Sequence, residues 1–490
     1  MTTKIDWDNN KRQGIISGDY FDEIREHFSV KNEAARFARF RGRFAPARKY
    51  AITPAGRFDT GLVNEIDRFI FDRQFDTDVL KTETFIQNAY PMFPKTPVPE
   101  LKLSLRDYQR KIVNECLSVG RGVVVLATAG GKTLTIATLL EGLYKMNDKF
   151  KCALIVPDLG LVTQTINDFS DYGTSFSASP WTGNNELNLA SNVIVCNLGI
   201  LQSSKSDIEW LKHVDVCIVD EVHKLRKGNK VNKVFKSIDT PHRFGFTGTM
   251  PEELIDQWNI IGKIGPIIYE KNSYELRSQQ YIADVKVQIL NLKYAAEPNY
   301  PTTIKNPSER YRAELDFIIN NKFRQKILSS LCNKFEKNAL LMVDYIDHGV
   351  SLHKHLSTYC PDKKVYFIRG EVAVEDREKV KTIMEEQDDV IIVAISKIFS
   401  TGINIKNLHY IIFGSGGKAK IKTIQSIGRG LRLHKNKTKL IIFDIGDDLQ
   451  YGRRHLSKRI EHYQQENIEY GQQKIQEGAS ARKKEKKKKE

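Results

Sequence analysis

Three separated groups of residues have the types and spacing of phosphate chemistry. The first is the run Val123-Val-Val-Leu-Ala-Thr128-Ala129-Gly130-Gly131-Lys132-Thr133. A bound phosphate needs backbone N–H donors, room for close approach and a cation. Gly130 and Gly131 give room, and a helix starting after them presents its first amides and the positive end of its dipole. Lys132 is placed to reach the β- and γ-phosphates, and the Thr133 hydroxyl to bind Mg²⁺. The fit to G-x-x-x-x-G-K-[ST] is incomplete. Leu126 holds the first glycine position, and Ala129, a residue that resists positive φ, stands where many such loops have glycine.

The second group is Asp220-Glu221-Val222-His223, at the end of the apolar run Val214-Asp-Val-Cys-Ile-Val. Asp220 is suited to hold a metal through water, and Glu221 to orient and polarise an attacking water. Two adjacent carboxylates at the end of a buried strand are costly unless metal or water faces them. The third group, Gln425-Ser-Ile-Gly-Arg429-Gly-Leu-Arg432, lies just over two hundred residues further on. Arg429 and Arg432 are one helical turn apart and can face the same cleft. An arginine aimed at a transferring phosphoryl group contributes about 10³–10⁵ in rate. Taken singly, the groups have bland readings: an ordinary helix start, a surface turn, a pair of solvated arginines. Together they describe an ATPase half-site completed from a second domain.

Strands must carry these groups. GVVVLAT (122–128), CALIVP (152–157), NVIVCN (192–197), VDVCIVD (214–220) and RFGFTGT (243–249) are apolar at successive positions, as in a parallel sheet covered on both faces. ALLMVDY (339–345), KVYFIRG (364–370), DVIIVAIS (389–396), HYIIFGS (409–415) and KLIIFDI (439–445) repeat the pattern. Alternation with helical stretches predicts an α/β fold of two tandem doubly wound parallel-sheet domains. Residues from about 270 to 320 read as the join, with EPNYPTTIKNPSE as a loop.

Ahead of the motor, Phe21, Ile24, Phe28 and Phe37 suggest one helix and Gly61–Ile70 another, in a small α/β accessory domain. The proline-dense PMFPKTPVPE (91–100) reads as an extended linker. After Asp447 the apolar strands cease. HLSKRIEHYQQENIEY suggests an amphipathic helix, and ARKKEKKKKE a disordered basic tail. The expected domains are residues 1–95, 96–285 and 286–447, followed by an extension over 448–490.

The chain has 490 residues, enough for about three domains. Its formal net charge of +16 suggests a polyanionic partner such as nucleic acid. None of its six cysteines forms a C-x-x-C pair, which argues against a disulfide framework or a zinc site and for a reducing compartment. No apolar run reaches the ~18 residues of a membrane span. The N-terminal residues are polar, so the chain reads as cytoplasmic, in the host cytoplasm if phage-encoded.

In order along residues 100–445, the motifs resemble those of superfamily 2 helicases. LRDYQ (105–109) is similar to the adenine-recognition segment, which implies nucleotide contacts for Arg106 and Gln109. ATAGGKT (127–133) is similar to the phosphate motif, bringing in Thr128, and QSIGRGLR brings in Gln425. IVPDLGLVTQ (155–164), with Pro157 and Gln164, and FSTGINIKN (399–407), with Thr401, resemble segments on the nucleic-acid track. DEVH (220–223) is the DExH form. His223, with Thr247 and Thr249 of TGT, is implied to couple hydrolysis to domain movement.

Within that superfamily the chain most resembles the UvsW-type recombination helicases of tailed phages, on RGEVAVEDRE (369–378), KIFSTGINIKNLHYIIF (397–413) and QSIGRGLR. The resemblance implies RecA-like motor domains. It also implies ATP- and Mg²⁺-dependent branch migration, fork regression and unwinding of D-loops or R-loops.

Arg36, Arg39, Arg41 and Arg43 alternate with phenylalanines, and Arg48-Lys49-Tyr50 follows. The segment 36–50 has six cations and no acid. Arginine neutralises phosphate and aromatic rings stack on unpaired bases, so this segment is a candidate DNA contact. Its bland reading is a helix with buried phenylalanines and solvated arginines. The expected partner is branched or partly single-stranded DNA, with RNA–DNA hybrids and recombination or single-strand-binding proteins as further candidates. A monomer suffices, since both halves of the site lie on one chain. The rival readings are a double-stranded DNA translocase of restriction-motor type and a nucleic-acid-binding or annealing protein with a vestigial ATPase.

Overall fold

The computed structural model describes residues 2–35, 42, 44–203, 207–225, 231–296, 306–368, 382–396, 407–415 and 439–478. Contacts divide the chain into two compact units, Met1–Ala127 with Gly131–Lys271, and Thr128–Gly130 with Asn272–Glu490.

The first unit opens with a hairpin of β1 (Thr2–Asp8) and β2 (Gln13–Gly18). A short ribbon follows, of β3 (Ser29–Lys31) and β4 (Arg48–Tyr50), then β5 (Arg57–Phe58) and β6 (Asp78–Lys81). The small sheet runs β5-β2-β1-β6, antiparallel except for β1 with β6. Alternation puts Ile5 and Ile16 on one face, where they are buried with Ile24, Phe28, Phe58, Ile66 and Phe85. The helix expected over Phe21–Phe37 ends early. It spans Phe21–His27, and Phe28 leaves helical geometry with its ring packed on Trp258. Phe37 lies outside the described residues.

The motor sheet of this unit comprises β7 (Arg121–Leu126), β8 (Cys152–Val156), β9 (Ala178–Trp181), β10 (Val193–Asn197), β11 (Val216–Asp220), β12 (Arg243–Thr247) and β13 (Ile267–Lys271). Its order is β13-β7-β12-β11-β8-β10-β9, with all pairs parallel. Every residue of β7, β8 and β10 is buried, which explains their continuous apolar runs.

The proline-rich segment 91–100 has neither helix nor strand, as expected, but it is packed rather than free. Pro91 and Pro99 are buried, and Phe93 stacks on His242 at 4.0 Å between ring centroids.

The second unit carries β14 (Asp284–Lys293), β15 (Ala339–Val343), β16 (Lys364–Ile368), β17 (Val390–Ile395), β18 (Tyr410–Phe413), β19 (Lys439–Asp447) and β20 (Glu469–Gln476). The order is β16-β17-β15-β18-β19-β14-β20, again all parallel. Two of these strands correct the sequence reading. β14 lies within the stretch read as a join, and β20 within the tail read as strandless. β20 is an edge strand of mostly exposed polar residues, so it has no apolar signature; its pairing with β14 supplies what its side chains do not. The expected helix is present over Gln450–Gln465 and is pinned to β19 by buried Arg459, whose Nη2 donates to Asp444 at 2.7 Å. The basic tail lies outside the described residues.

Candidate functional site

Strand order brings the first two chemical groups together. β12 lies between β7 and β11, so the loops after all three leave the same carboxyl edge of the sheet. That edge is where open α/β sheets bind ligands. The helix Lys132–Met146 starts at Gly131, whose φ of +83° is the left-handed conformation glycine adopts without strain. A Cβ on Gly131 would also lie 2.3 Å from Gln109 Nε2. Ala129 takes a φ of +67°, the left-handed region that an alanine resists. An L-residue there costs roughly 1–2 kcal/mol. Thr128 and Thr133 are half-buried.

Gln109 is buried and works in two directions. Its Oε1 accepts from the Arg106 backbone N–H at 2.9 Å, at the start of the helix Asp107–Val119. Its Nε2 donates to the Gly131 carbonyl at 3.3 Å, tying that helix to the phosphate-loop end. The Arg106 guanidinium donates to the Tyr108 hydroxyl at 2.9 Å.

Lys132 Nζ lies 3.4 Å from Glu221 Oε1. His223 Nδ1 is 2.9 Å from Thr247 Oγ1 and 3.2 Å from Glu221 Oε2. The Thr247 hydroxyl donates to the Thr249 carbonyl at 2.9 Å. The Glu221 N–H donates to Asp220 Oδ1 at 2.9 Å, and Glu221 itself is left-handed with φ of +51°. Burial, then the neighbouring Glu221 carboxylate, raises Asp220 to about 6. Burial opposes ionisation of Glu221 too, but Lys132 and His223 outweigh it and hold that carboxyl well below its usual range. The pair therefore carries one negative charge more readily than two.

Glu221 Oε2 is buried against His223 Nδ1. A buried carboxylate held beside a lysine fits a water or a hydrated cation with a phosphate.

Pro157 follows β8, and Asp158 Oδ1 caps the helix Leu159–Tyr172 by accepting from Leu161 N–H at 3.2 Å. Gln164 lies half-buried on that helix. Gln425, Arg429, Arg432, Thr401, Arg36, Arg39, Arg41 and Arg43 lie outside the described residues. The structure thus gathers Lys132, Asp220, Glu221, His223, Thr247 and Thr249, with Gln109 behind Gly131. The double role of Gln109 as helix cap and loop tie was not read from the sequence. Its signal was a glutamine at the third position of the helix, where its side chain can reach back to the N–H of the residue before the helix.

The family model for the res subunit of type III restriction enzymes matches residues 102–252, and that for the helicase conserved C-terminal domain matches residues 322–434. The chain belongs to the superfamily 2 helicases. Among relatives of this helicase, the ATP-dependent DNA helicase uvsW of Enterobacteria phage T4 is 27% identical over 482 residues, covering 92% of this chain and 94% of that protein. The DNA 3'-5' translocase XPB2 of Sulfurisphaera tokodaii is 24% identical over 386 residues, covering 71% of this chain and 82% of that one. Among solved structures, the crystal structure of T4 UvsW spans 97% of this helicase and 100% of that chain, at 24% identity and a TM-score of 0.46. The DNA-bound Type ISP restriction-modification enzyme LlaBIII shares the fold, with a TM-score of 0.55 at 16% identity over 77% of this chain and 32% of its own.

Proposed function

We propose that this helicase is an ATP-dependent motor that remodels branched DNA: forks, Holliday junctions, D-loops and R-loops in recombination, repair and replication. The observation that carries the ATPase reading is the meeting of Lys132 with Glu221 at the carboxyl edge of the sheet, 3.4 Å apart. In this reading Lys132 holds the β- and γ-phosphates with the amides that follow Gly131. Thr133 and Asp220 hold Mg²⁺, which supplies charge neutralisation at the phosphates. Glu221 orients the attacking water. Arg106 and Gln109 face the base side, and Arg429 and Arg432 are assigned to the γ-phosphoryl charge from their spacing alone. His223, Thr247 and Thr249 form the hydrogen-bonded link by which the site acts on the rest of its domain.

The choice of branched DNA rests on the likeness to the T4 helicase along most of both chains. DNA would be held by Pro157, Gln164, Thr401 and the basic segment 36–50, mainly through phosphates and so with little dependence on sequence. Recombination or single-strand-binding proteins are the protein partners such a role implies.

Lys132→Ala is expected to abolish DNA-stimulated ATP hydrolysis while DNA binding by gel shift persists; retained turnover would remove the assigned nucleotide site. A panel of fork, four-way junction, D-loop, R-loop and blunt duplex, each with and without ATP, tests the substrate. Remodelling confined to none of the branched substrates overturns that part.

A further inference from the structure

The small N-terminal sheet is mounted on the motor sheet of its own unit rather than tethered to it. The mount is the helix Leu254–Ile264. Trp258 packs edge-on against Phe28 at 5.2 Å, and Ile261 is buried in the N-terminal core. Asp59 pairs with Lys263 at 2.9 Å. Gly61 lies so close that a Cβ would meet the Ile261 carbonyl oxygen at 2.2 Å. Buried Arg121 donates to the carbonyls of Ile264 (2.8 Å) and Asn88 (3.1 Å), binding the two layers from below.

This mount begins at the nucleotide site. Thr247 grips the Thr249 carbonyl, and the next residue, Met250, packs against both the motor core and the N-terminal core. The Pro251 carbonyl accepts from Gln257 Nε2 at 2.8 Å, fixing that loop to the helix. At the far end, Phe28 runs directly into β3, which pairs with β4 in the ribbon whose loop holds the basic segment. Arg48 donates to Ser29 Oγ at 2.7 and 2.9 Å, and the Arg25 guanidinium sits 3.9 Å over the Tyr50 ring. Phe44, at the end of that loop, is 96% exposed.

A shared hydrogen-bond position sits at the start of the path. His223 Nδ1 faces Thr247 Oγ1 and Glu221 Oε2, and it carries at most one proton to donate. A ligand that engaged Glu221 would bias that choice.

We propose that the helix Leu254–Ile264, with Met250 and Trp258, is a strut coupling the nucleotide site to the basic β3–β4 ribbon. Through it the N-terminal DNA grip reports the nucleotide state. This rests on the ATPase reading above. Coupling of this kind needs an element that both sites bias.

Hydrogen exchange of the full chain with and without a non-hydrolysable ATP analogue and Mg²⁺, no DNA present, tests it. The expected result is at least threefold slower or faster exchange in both 127–133 and the ribbon (29–31 and 48–50). Trp258→Ala should abolish the ribbon change and leave that at 127–133, and Trp258→Phe should restore it. A wild-type response at 127–133 without one in the ribbon overturns the strut, as does a ribbon response that survives Trp258→Ala. No response at 127–133 would instead sink the nucleotide-site reading. Should Trp258→Ala fail to fold, Met250→Ala interrupts the same path at a partly buried position, with the same two outcomes.

Discussion

Arg459→Met tests whether the segment after Asp447 is part of the second motor sheet. Arg459 and Asp444 are both buried. The guanidinium gives Asp444 three contacts, Nε to Oδ1 at 3.1 Å, Nε to Oδ2 at 2.9 Å and Nη2 to Oδ1 at 2.7 Å. The Tyr463 hydroxyl adds a fourth at 2.7 Å, and it too comes from the helix Gln450–Gln465. Removing the arginine leaves a buried carboxylate with one hydroxyl donor. Breaking a buried pair by deleting one partner costs about 3–5 kcal/mol. At about 2–4 °C per kcal/mol for a domain of this size, the second unit should melt about 6–20 °C lower. Differential scanning calorimetry of the full chain measures this, with the first unit's transition as internal reference. Adding Asp444→Asn to Arg459→Met removes the orphaned charge and should recover much of the loss. A drop below about 2 °C for the single variant, or no recovery in the double, would refute the assignment of this pair as the anchor of the extension.

Gly61→Ala places a methyl within 2.2 Å of the Ile261 backbone oxygen, so the N-terminal layer must shift. A cost of about 1–3 kcal/mol should lower the first unit's melting temperature, and an unchanged melt would contradict the close mount. His348 is buried, and burial followed by the nearby Arg324 charge lowers it to about 3. The unfolded chain binds this proton below about pH 6.5 while the folded chain does not, so stability falls as pH drops from 6.5 towards 3. Between pH 6.5 and about pH 5 the loss from this group is about 2 kcal/mol. His348→Gln should be flatter over that window in urea titrations, and parallel curves would refute the burial argument. Deleting residues 448–490 should unfold the second unit or leave it aggregation-prone, because β14 would become an exposed edge and Arg277 would lose the Glu466 and Asn467 carbonyls it caps at 2.8 and 3.1 Å. A soluble truncated chain with native melting would count against this.

The sheets were legible where burial was two-sided. Each apolar run read as a strand is one; in β7, β8, β10, β15 and β17 every residue is buried, so no exposed position breaks the run. β1 and β2 were passed over because their signal is short alternation among polar residues. β9 includes a proline, and β13 is a half-exposed edge. β14 alternates over ten residues within the stretch read as a join. The helix of the accessory domain was overextended because Phe28 keeps the apolar spacing while its backbone turns away to meet Trp258, a residue far along the chain.

The sequence by itself determined the pieces: a lysine after paired glycines and two carboxylates after a buried run are both legible from local spacing. Their meeting was decided by tertiary structure. β12, whose sequence says nothing of Lys132 or Glu221, inserts between their strands and sets both at one edge. The same holds for β20, for the double use of Gln109 and for the seat of the N-terminal sheet. Strand order, edge pairing and buried hydrogen bonds join residues distant in the chain, and their energies belong to pairs, so no local pattern records them.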